Sequence, residues 1–347
     1  MKRKMKLVIW DLDNTIWHGV ISEDGQVELR EDIASVIAEL DKRGILQSVA
    51  SKNNYDQAME QLKKFQLDEY FIYPMINWNS KSENIQVIVK NINIAMDSVA
   101  FVDDQQFERD EVNYSLPDVN CIDAEDIKTL LDREEMNPLY ITDDSRLRRS
   151  MYQSDIVRKQ VEESYSGTQE EFLESLGMKM VIEYAKEEDL KRAEELTVRT
   201  HQLNSTGYTY SYEDLKSFIS DENYKLLIVD LRDKYGYYGK IGLVLIKIEE
   251  SAWTLKLLLT SCRVMSRGIG KALLGLIINT AQDHQVRLYA EYVPTDRNRI
   301  MGITYSLMGF HVCREELEKQ TLEYQGEKKI PIPAYLDITN RLDMSLV

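Results

Sequence analysis

Short apolar runs separated by amphipathic stretches mark the first third of the chain. Residues 6–10, 46–50, 70–72 and 98–102 are apolar runs of strand length. Between them, residues 31–42, 55–65 and 80–91 repeat apolar positions three and four apart, the spacing of helices with one buried face. Strands alternating with helices predict a parallel sheet with helices on both faces, an α/β unit over residues 1–125. Residues 126–176 lose the alternation, are charged and nearly free of glycine, and predict a helical connector. Arg146, Arg148 and Arg149 cluster there, as a solvated helix face would.

A second pattern starts at Met178 and predicts an α+β unit over 177–347. Residues 178–183 form a strand, 187–201 and 212–220 helices, then three successive strands fall at 225–230, 240–249 and 253–262. A glycine turn leads into a helix at 270–284. A strand at 286–292, a helix at 298–307 and a strand from 309 follow.

Bulk properties narrow the function. The 347 residues suit two or three domains, and 43% apolar content suits a sizeable core. A net charge of −16 argues against nucleic-acid binding, which needs a basic footprint. No run approaches the ~20 apolar residues of a membrane span, and the basic Met1-Lys-Arg-Lys-Met5 precedes a stretch too short for a signal-peptide core. A cytoplasmic protein with no membrane partner is expected. Cys121, Cys262 and Cys313 form neither a disulfide framework nor a CxxC spacing.

The chemistry begins at Asp11-Leu-Asp13-Asn-Thr15, directly after the first strand. Residues just past a strand's C-terminal end face the ligand crevice of a parallel sheet. Two carboxylates one residue apart suit Mg²⁺, although Asp, Asn and Thr also cap helices. Ser51-Lys52-Asn53 ends the second strand, where a hydroxyl and amides can hold phosphate oxygens. Lys81 opens a helix after Asn77-Trp-Asn-Ser80, and Asp103-Asp104 ends the strand at 98–102.

This order resembles the haloacid dehalogenase (HAD) superfamily, with its Rossmannoid sheet. The resemblance implies Asp11 as nucleophile, Asp13 as general acid/base, Thr15, Ser51, Lys52 and Asn53 around the phosphate, and Lys81 as charge balance. Mg²⁺ would be held by Asp11, Asp13, Asp103 and Asp104. No large insertion separates the first two motifs, so the site should be uncapped and open to bulky substrates unless the second unit covers it.

In the second unit, Arg267-Gly268-Ile269-Gly270-Lys271-Ala272 opens a helix after a strand. Glycines let backbone amides approach a pyrophosphate at a helix N-terminus. With Asn298 and Tyr305-Ser-Leu-Met-Gly309-Phe310, this is similar to GNAT-type acyltransferases. The likeness implies that Arg267, Gly268, Gly270, Ala272 and Asn298 bind pantetheine. Tyr305 is then either a general acid to a departing thiolate or a half-buried structural tyrosine. Cys262 lies five residues before Arg267; it is either an acyl-accepting thiol or a small buried hydrophobe. His18 and His201 are ambiguous.

The pairing is more specific than either half. Asp11–Gly25, Ala50-Ser-Lys-Asn53, Asn77-Trp-Asn-Ser-Lys81, Phe101-Val-Asp-Asp104 with Phe107-Glu-Arg109, and Ser261-Cys-Arg263 resemble the FkbH-like family over residues 5–315. That resemblance implies transfer of the D-glyceryl group of 1,3-bisphosphoglycerate, with dephosphorylation, to the phosphopantetheine thiol of a holo acyl carrier protein in polyketide or nonribosomal peptide biosynthesis. It implies a cysteine thioester on the way; Ala50 stands where some members carry Cys, which leaves open whether Cys262 serves. Docking an acidic carrier needs a basic patch: Arg263, Arg267 and Lys271, or the connector arginines. The alternative is a small-molecule phosphatase fused to an acetyl-CoA-dependent N-acetyltransferase.

Overall fold

The computed structural model describes residues 4–342, in two compact units, Met1–Gln153 and Ser154–Val347. In the first, strands β1 (Leu7–Trp10), β2 (Leu46–Ser51), β3 (Met75–Ile76), β4 (Val99–Asp103) and β5 (Asn120–Asp123) form one sheet in the order β3-β2-β1-β4-β5. Every pairing is parallel. All four β1 residues are buried because helices cover both faces. Helices α1 (Ile33–Lys42), α2 (Tyr55–Lys64), α3 (Lys81–Ile92) and α4 (Gln106–Ser115) supply that cover. Asn54 and Ser80 cap α2 and α3 by accepting from the Gln57 and Glu83 amides.

The connectivity reverses between β1 and β4, which makes their C-terminal ends the ligand crevice. Trp10 pairs with Val102, so the next residues, Asp11 and Asp103, leave neighbouring strands side by side.

The strand expected at 70–72 is a 3₁₀ turn, Asp68–Tyr70, followed by a single bridge from Phe71 to Gln47. Tyr73 takes a positive φ of 51° and Pro74 lacks an amide donor, so pairing resumes only at Met75. The connector region is not uniformly helical. Its first part runs through 3₁₀ segments Ala124–Asp132 and Glu134–Met136, and Ile127, Leu130 and Met136 join the first unit's core. Helix α5 (Arg148–Ser164) contains the division between the units.

The second unit is built on an eight-stranded sheet. Its strands are β6 (Met178–Tyr184), β7 (Tyr224–Asp233), β8 (Gly236–Glu249), β9 (Ala252–Thr260), β10 (Arg287–Tyr292), β11 (Phe310–Glu316), β12 (Lys319–Tyr324) and β13 (Leu336–Asn340). Their order is β11-β12-β10-β9-β8-β7-β6-β13. Helices α6 (Leu190–Arg199), α7 (Tyr212–Ser220), α8 (Ile269–Asp283) and α9 (Arg299–Leu307) complete it. Alternate strand residues feed two cores. Leu227, Val229, Val244 and Ile246 join the core containing α8, whereas Leu226, Ile228, Leu243 and Leu245 join that containing α6 and α7. This is the α+β arrangement expected over residues 177–347.

One irregularity positions the second candidate site. Strands β9 and β10 are parallel, but their ladder stops at Leu255–Ala290. The buried segment 203–206 fills the opening. The Thr260 amide donates to Leu203 O (3.0 Å), Ser205 N to Leu258 O (3.0 Å), and Val293 N to Ser205 O (3.1 Å). The strand expected to reach residue 262 therefore ends at Thr260. Ser261 N turns to Ile241 O (2.6 Å), and Cys262–Arg267 forms a 3₁₀ turn. Among the described residues, no helix is long and apolar enough to cross a membrane.

Candidate active site

Asp11 and Lys81 meet at the crevice of the first sheet. Lys81, 2% exposed, ion-pairs with Asp11, donates to Ala50 O (2.8 Å) and lies 3.4 Å from Asp103 Oδ2. The turn after Asp11 is tight: Asn14 takes a φ of 54°, and the amides of Thr15, Ile16 and Trp17 all reach Leu12 O. Buried Ser51 and Thr15 stand at the same strand ends, and the Thr15 hydroxyl has no partner.

Asp103 and Asp104 complete an acidic pocket. One oxygen from each of Asp11, Asp103 and Asp104 lies within 4.8 Å of the others. Asp103 Oδ2 and Asp104 Oδ1 are buried without a hydrogen-bond donor. Burial first, then the charge of Asp11, push the Asp103 carboxyl up to about 7 and raise Asp104 in the same direction. Burial by itself would lower the Lys81 ammonium, but Asp11 and Asp103 outweigh it and raise its pKa. Three carboxylates around one lysine leave surplus negative charge, and the donors are all hard oxygens, so the residues fit Mg²⁺. If Asp104 helps hold the ion, Asp104→Asn should raise the half-saturating Mg²⁺ concentration for phosphate release roughly 10- to 100-fold; a magnesium titration checks this.

Asp13 stands apart from that carboxylate group. Its Oδ1 accepts from Trp17 Nε1 (2.8 Å) and Ile21 N (3.2 Å), and its Oδ2 accepts from Asn53 Nδ2 (2.9 Å). These three donors fix the side chain outside the group formed by Asp11, Asp103 and Asp104. Asn53 therefore orients Asp13. Lys52 is paired with Glu108 (2.7 Å). Arg109, missed as a site residue, donates to Asp103 O (2.7 Å) and to Asp123 (2.5 Å), bracing the acidic loop. Its sequence signal was its place six residues after Asp103.

In the second unit, Cys262 is half-buried at the start of the 3₁₀ turn, just past the opening between β9 and β10. Gly268 takes a φ of 73° at the N-terminus of α8, and a Cβ there would strike the Tyr335 hydroxyl. The amides of residues 269–271 precede the first intrahelical donor, Ala272 N, which reaches Gly268 O at 3.0 Å, so they can donate to a phosphate oxygen. Ala272 is buried beneath them.

Three expected pantetheine or docking residues are engaged elsewhere. Arg267 is 7% exposed, ion-paired with Glu162 at 3.0 Å and over the Phe172 ring. Arg263 donates to Tyr238 O (2.6 Å). Asn298 is fully buried. Its Nδ2 donates to Asn204 O (2.9 Å) and Val293 O (3.0 Å), and its Oδ1 accepts from Thr295 N (2.8 Å). It clamps segment 203–206 instead of facing a ligand. Tyr305 is 1% exposed between Tyr292 and Phe310, and burial raises its hydroxyl pKa.

Burial pushes the Cys121 thiol up to about 12, and Cys313 lies exposed on β11. His18 is exposed on a short hairpin and His201 is half-buried. Of the connector arginines, Arg146 is solvated. Arg148 is buried against Gly44 O (2.6 Å), and Arg149 pairs with Asp41 (2.9 Å).

Residues 17–111 match the sequence profile of haloacid dehalogenase-like hydrolases. No curated protein matches the chain. A solved structure of the N-terminal part of protein BF1531 from Bacteroides fragilis, described as containing a phosphatase domain complexed with Mg, is similar at 31% identity. The match covers 36% of this chain and 38% of that one, with a TM-score of 0.31. The PaiA N-acetyltransferase from Thermoplasma acidophilum in complex with coenzyme A is similar at 18% identity, over 42% of this chain and 99% of its own, with a TM-score of 0.34. The ribosomal-protein-S18-alanine N-acetyltransferase from Escherichia coli is similar at 16%, over 43% and 97%, with a TM-score of 0.33. The profile match starts just past Asp11, and the pairing of β1 with β4 ties that aspartate to the matched residues. The first unit thus carries a haloacid dehalogenase-like hydrolase domain.

Proposed function

We propose that the chain transfers the D-glyceryl group of 1,3-bisphosphoglycerate to the phosphopantetheine thiol of a holo acyl carrier protein and removes the remaining phosphate, for polyketide or nonribosomal peptide assembly. The observation that carries this reading is the presence on one chain of two sites. One is a phosphotransfer pocket around Asp11, Lys81, Asp103 and Asp104; the other is a half-buried thiol, Cys262, beside a glycine-led helix N-terminus.

Each site suits one end of the substrate. The C1 carboxyl is an acyl phosphate, already activated. The Cys262 sulfur bonds to that carbon, the C–O bond to phosphate breaks, and inorganic phosphate leaves. The carrier thiolate then attacks the thioester and Cys262 leaves as the thiolate. The C3 phosphate is an ordinary ester. There Asp11 attacks phosphorus, and Asp13, protonated, gives its proton to the departing C3 oxygen. Water then cleaves the aspartyl phosphate and returns a proton to Asp13. Mg²⁺, when bound by Asp11, Asp103 and Asp104, offsets the repulsion between carboxylate and phosphate. Lys81 holds the Asp11 side chain in place.

Intact-mass measurement tests this. Protein given 1,3-bisphosphoglycerate and Mg²⁺ should gain a glyceryl adduct, and Cys262→Ala should not. An adduct that persists in Cys262→Ala overturns the assignment of that thiol. Acetylation of a small amine by acetyl-CoA, with no glyceryl adduct, overturns the whole reading.

A further inference from the structure

Helix α9 is amphipathic in an unusual sense. Its inner face is filled: Met301 and Tyr305, four apart, are buried, and a Cβ on Gly302 would come within 2.8–3.0 Å of Tyr292. Its outer face is apolar as well. Ile300, Ile303 and Leu307, spaced along one stripe, are 42%, 58% and 72% exposed. A solvent-facing helix normally carries polar residues there, and a contiguous exposed apolar stripe marks an interaction surface.

Charge identifies the partner. Arg297 and Arg299 are exposed at the start of α9, and Lys271 is exposed on α8; Asp296 is the exposed acid of the loop before α9. This local excess of cations stands in a chain of net charge −16. A second copy is a poor occupant, because a two-fold pair would set Arg297 and Arg299 against themselves. An acidic surface with an apolar centre is complementary.

Position links the face to the thiol. The Cys262–Arg267 turn follows the C-terminal end of β9, and the loop into α9 follows that of β10. The two strands are parallel neighbours, so both loops emerge at the same end of the sheet. Met265, 38% exposed in the turn, adds an apolar residue there.

We infer that the outer face of α9, Ile300, Ile303 and Leu307 with Arg297 and Arg299, is the docking surface for the acidic carrier protein whose thiol accepts the acyl group. The inference rests on the proposed function and replaces the expected patch of Arg263 and Arg267, which are engaged within the unit. A carrier seated on α9 presents its prosthetic arm to the end of the sheet where Cys262 lies.

The test compares two acceptors, a holo acyl carrier protein of the bacterial fatty-acid type and free pantetheine, which has the thiol but no protein surface. In Ile303→Glu/Arg299→Glu, kcat/KM for transfer to the carrier should fall by about 10-fold or more, while transfer to pantetheine stays within about two-fold. Equal rates with the carrier in variant and wild type overturn the docking surface. Equal loss with both acceptors, repeated in the milder Ile303→Ala/Arg299→Gln, also overturns it. Wild-type transfer to pantetheine but not to the carrier overturns docking while leaving the chemistry standing; transfer to neither overturns both. A wild-type dimer that Ile303→Glu dissociates would make the face a self-interface, which overturns the inference.

Discussion

An Asp11→Asn variant is expected to lose phosphate release from a phosphate monoester by about 10³-fold or more, with its fold intact. Asn matches Asp in size, so the pocket at the end of β1 keeps its shape. Lys81 keeps the Ala50 carbonyl at 2.8 Å and Asp103 at 3.4 Å. On the proposed mechanism, what disappears is the carboxylate oxygen that attacks phosphorus, and with it one of the three carboxylates of the acidic group. The same variant should still form the Cys262 adduct, because the acyl phosphate needs no nucleophile at Asp11. Phosphate release, circular dichroism and intact mass on one preparation check all three points. Activity within ten-fold of wild type would remove Asp11 from the chemistry.

Arg158→Ala is expected to destabilise the second unit by roughly 3–5 kcal/mol, because it leaves buried carboxylates without their partner. The Arg158 guanidinium grips Asp233 with two bonds of 2.8 Å, donates to Asp155 (2.6 Å) and lies 3.7 Å over the Tyr238 ring. The side chains of Arg158 and Asp233 are 1% and 0% exposed. Tyr238 donates to the same Asp233 carboxylate at 2.9 Å. For a unit of this size the loss corresponds to a fall in melting temperature of roughly 10 °C. Differential scanning calorimetry should show that fall, with a smaller one for Arg158→Lys, which keeps the charge but not the planar fork. A shift of under about 2 °C would mean that water enters and solvates the stranded acids.

The acidic pocket was legible because Asp11, Ser51 and Asp103 sit at or just past strand ends and Lys81 opens a helix, and in a parallel sheet these positions converge. Asp11, Ser51, Lys81 and Asp103 needed only the alternating pattern to be brought together. The division of labour among them was not legible. Nothing in the spacing of Asp13 shows that Trp17, Ile21 and Asn53 hold its carboxylate away from the metal group. In the second unit the glycine-led helix start was visible, whereas the filling of the β9–β10 opening by residues 203–206 was not. That segment is polar and reads as a loop, and only tertiary pairing with Leu258, Thr260 and Val293 makes it structural. The contacts of Asn298 with segment 203–206 and of Arg267 with Glu162 were not legible for one reason: a polar residue in a motif loop can face a ligand or staple the loop, and spacing does not distinguish these. Arg158 carried no signal at all, since a buried arginine looks like any other on a charged helix. The edge strand slipped from 70–72 to Met75–Ile76 because a short apolar run does not show that Tyr73 and Pro74 bend the chain.

On the proposed function, one chain delivers an acyl group to a carrier thiol and strips its phosphate. Intact mass of a holo acyl carrier protein, after incubation with the enzyme, Mg²⁺ and 1,3-bisphosphoglycerate, decides between this and separate activities. The carrier should become heavier by one glyceryl group without phosphate, and by a phosphoglyceryl group when Asp11→Asn replaces the wild type. A carrier of unchanged mass, in a reaction where the enzyme still releases phosphate, would contradict it.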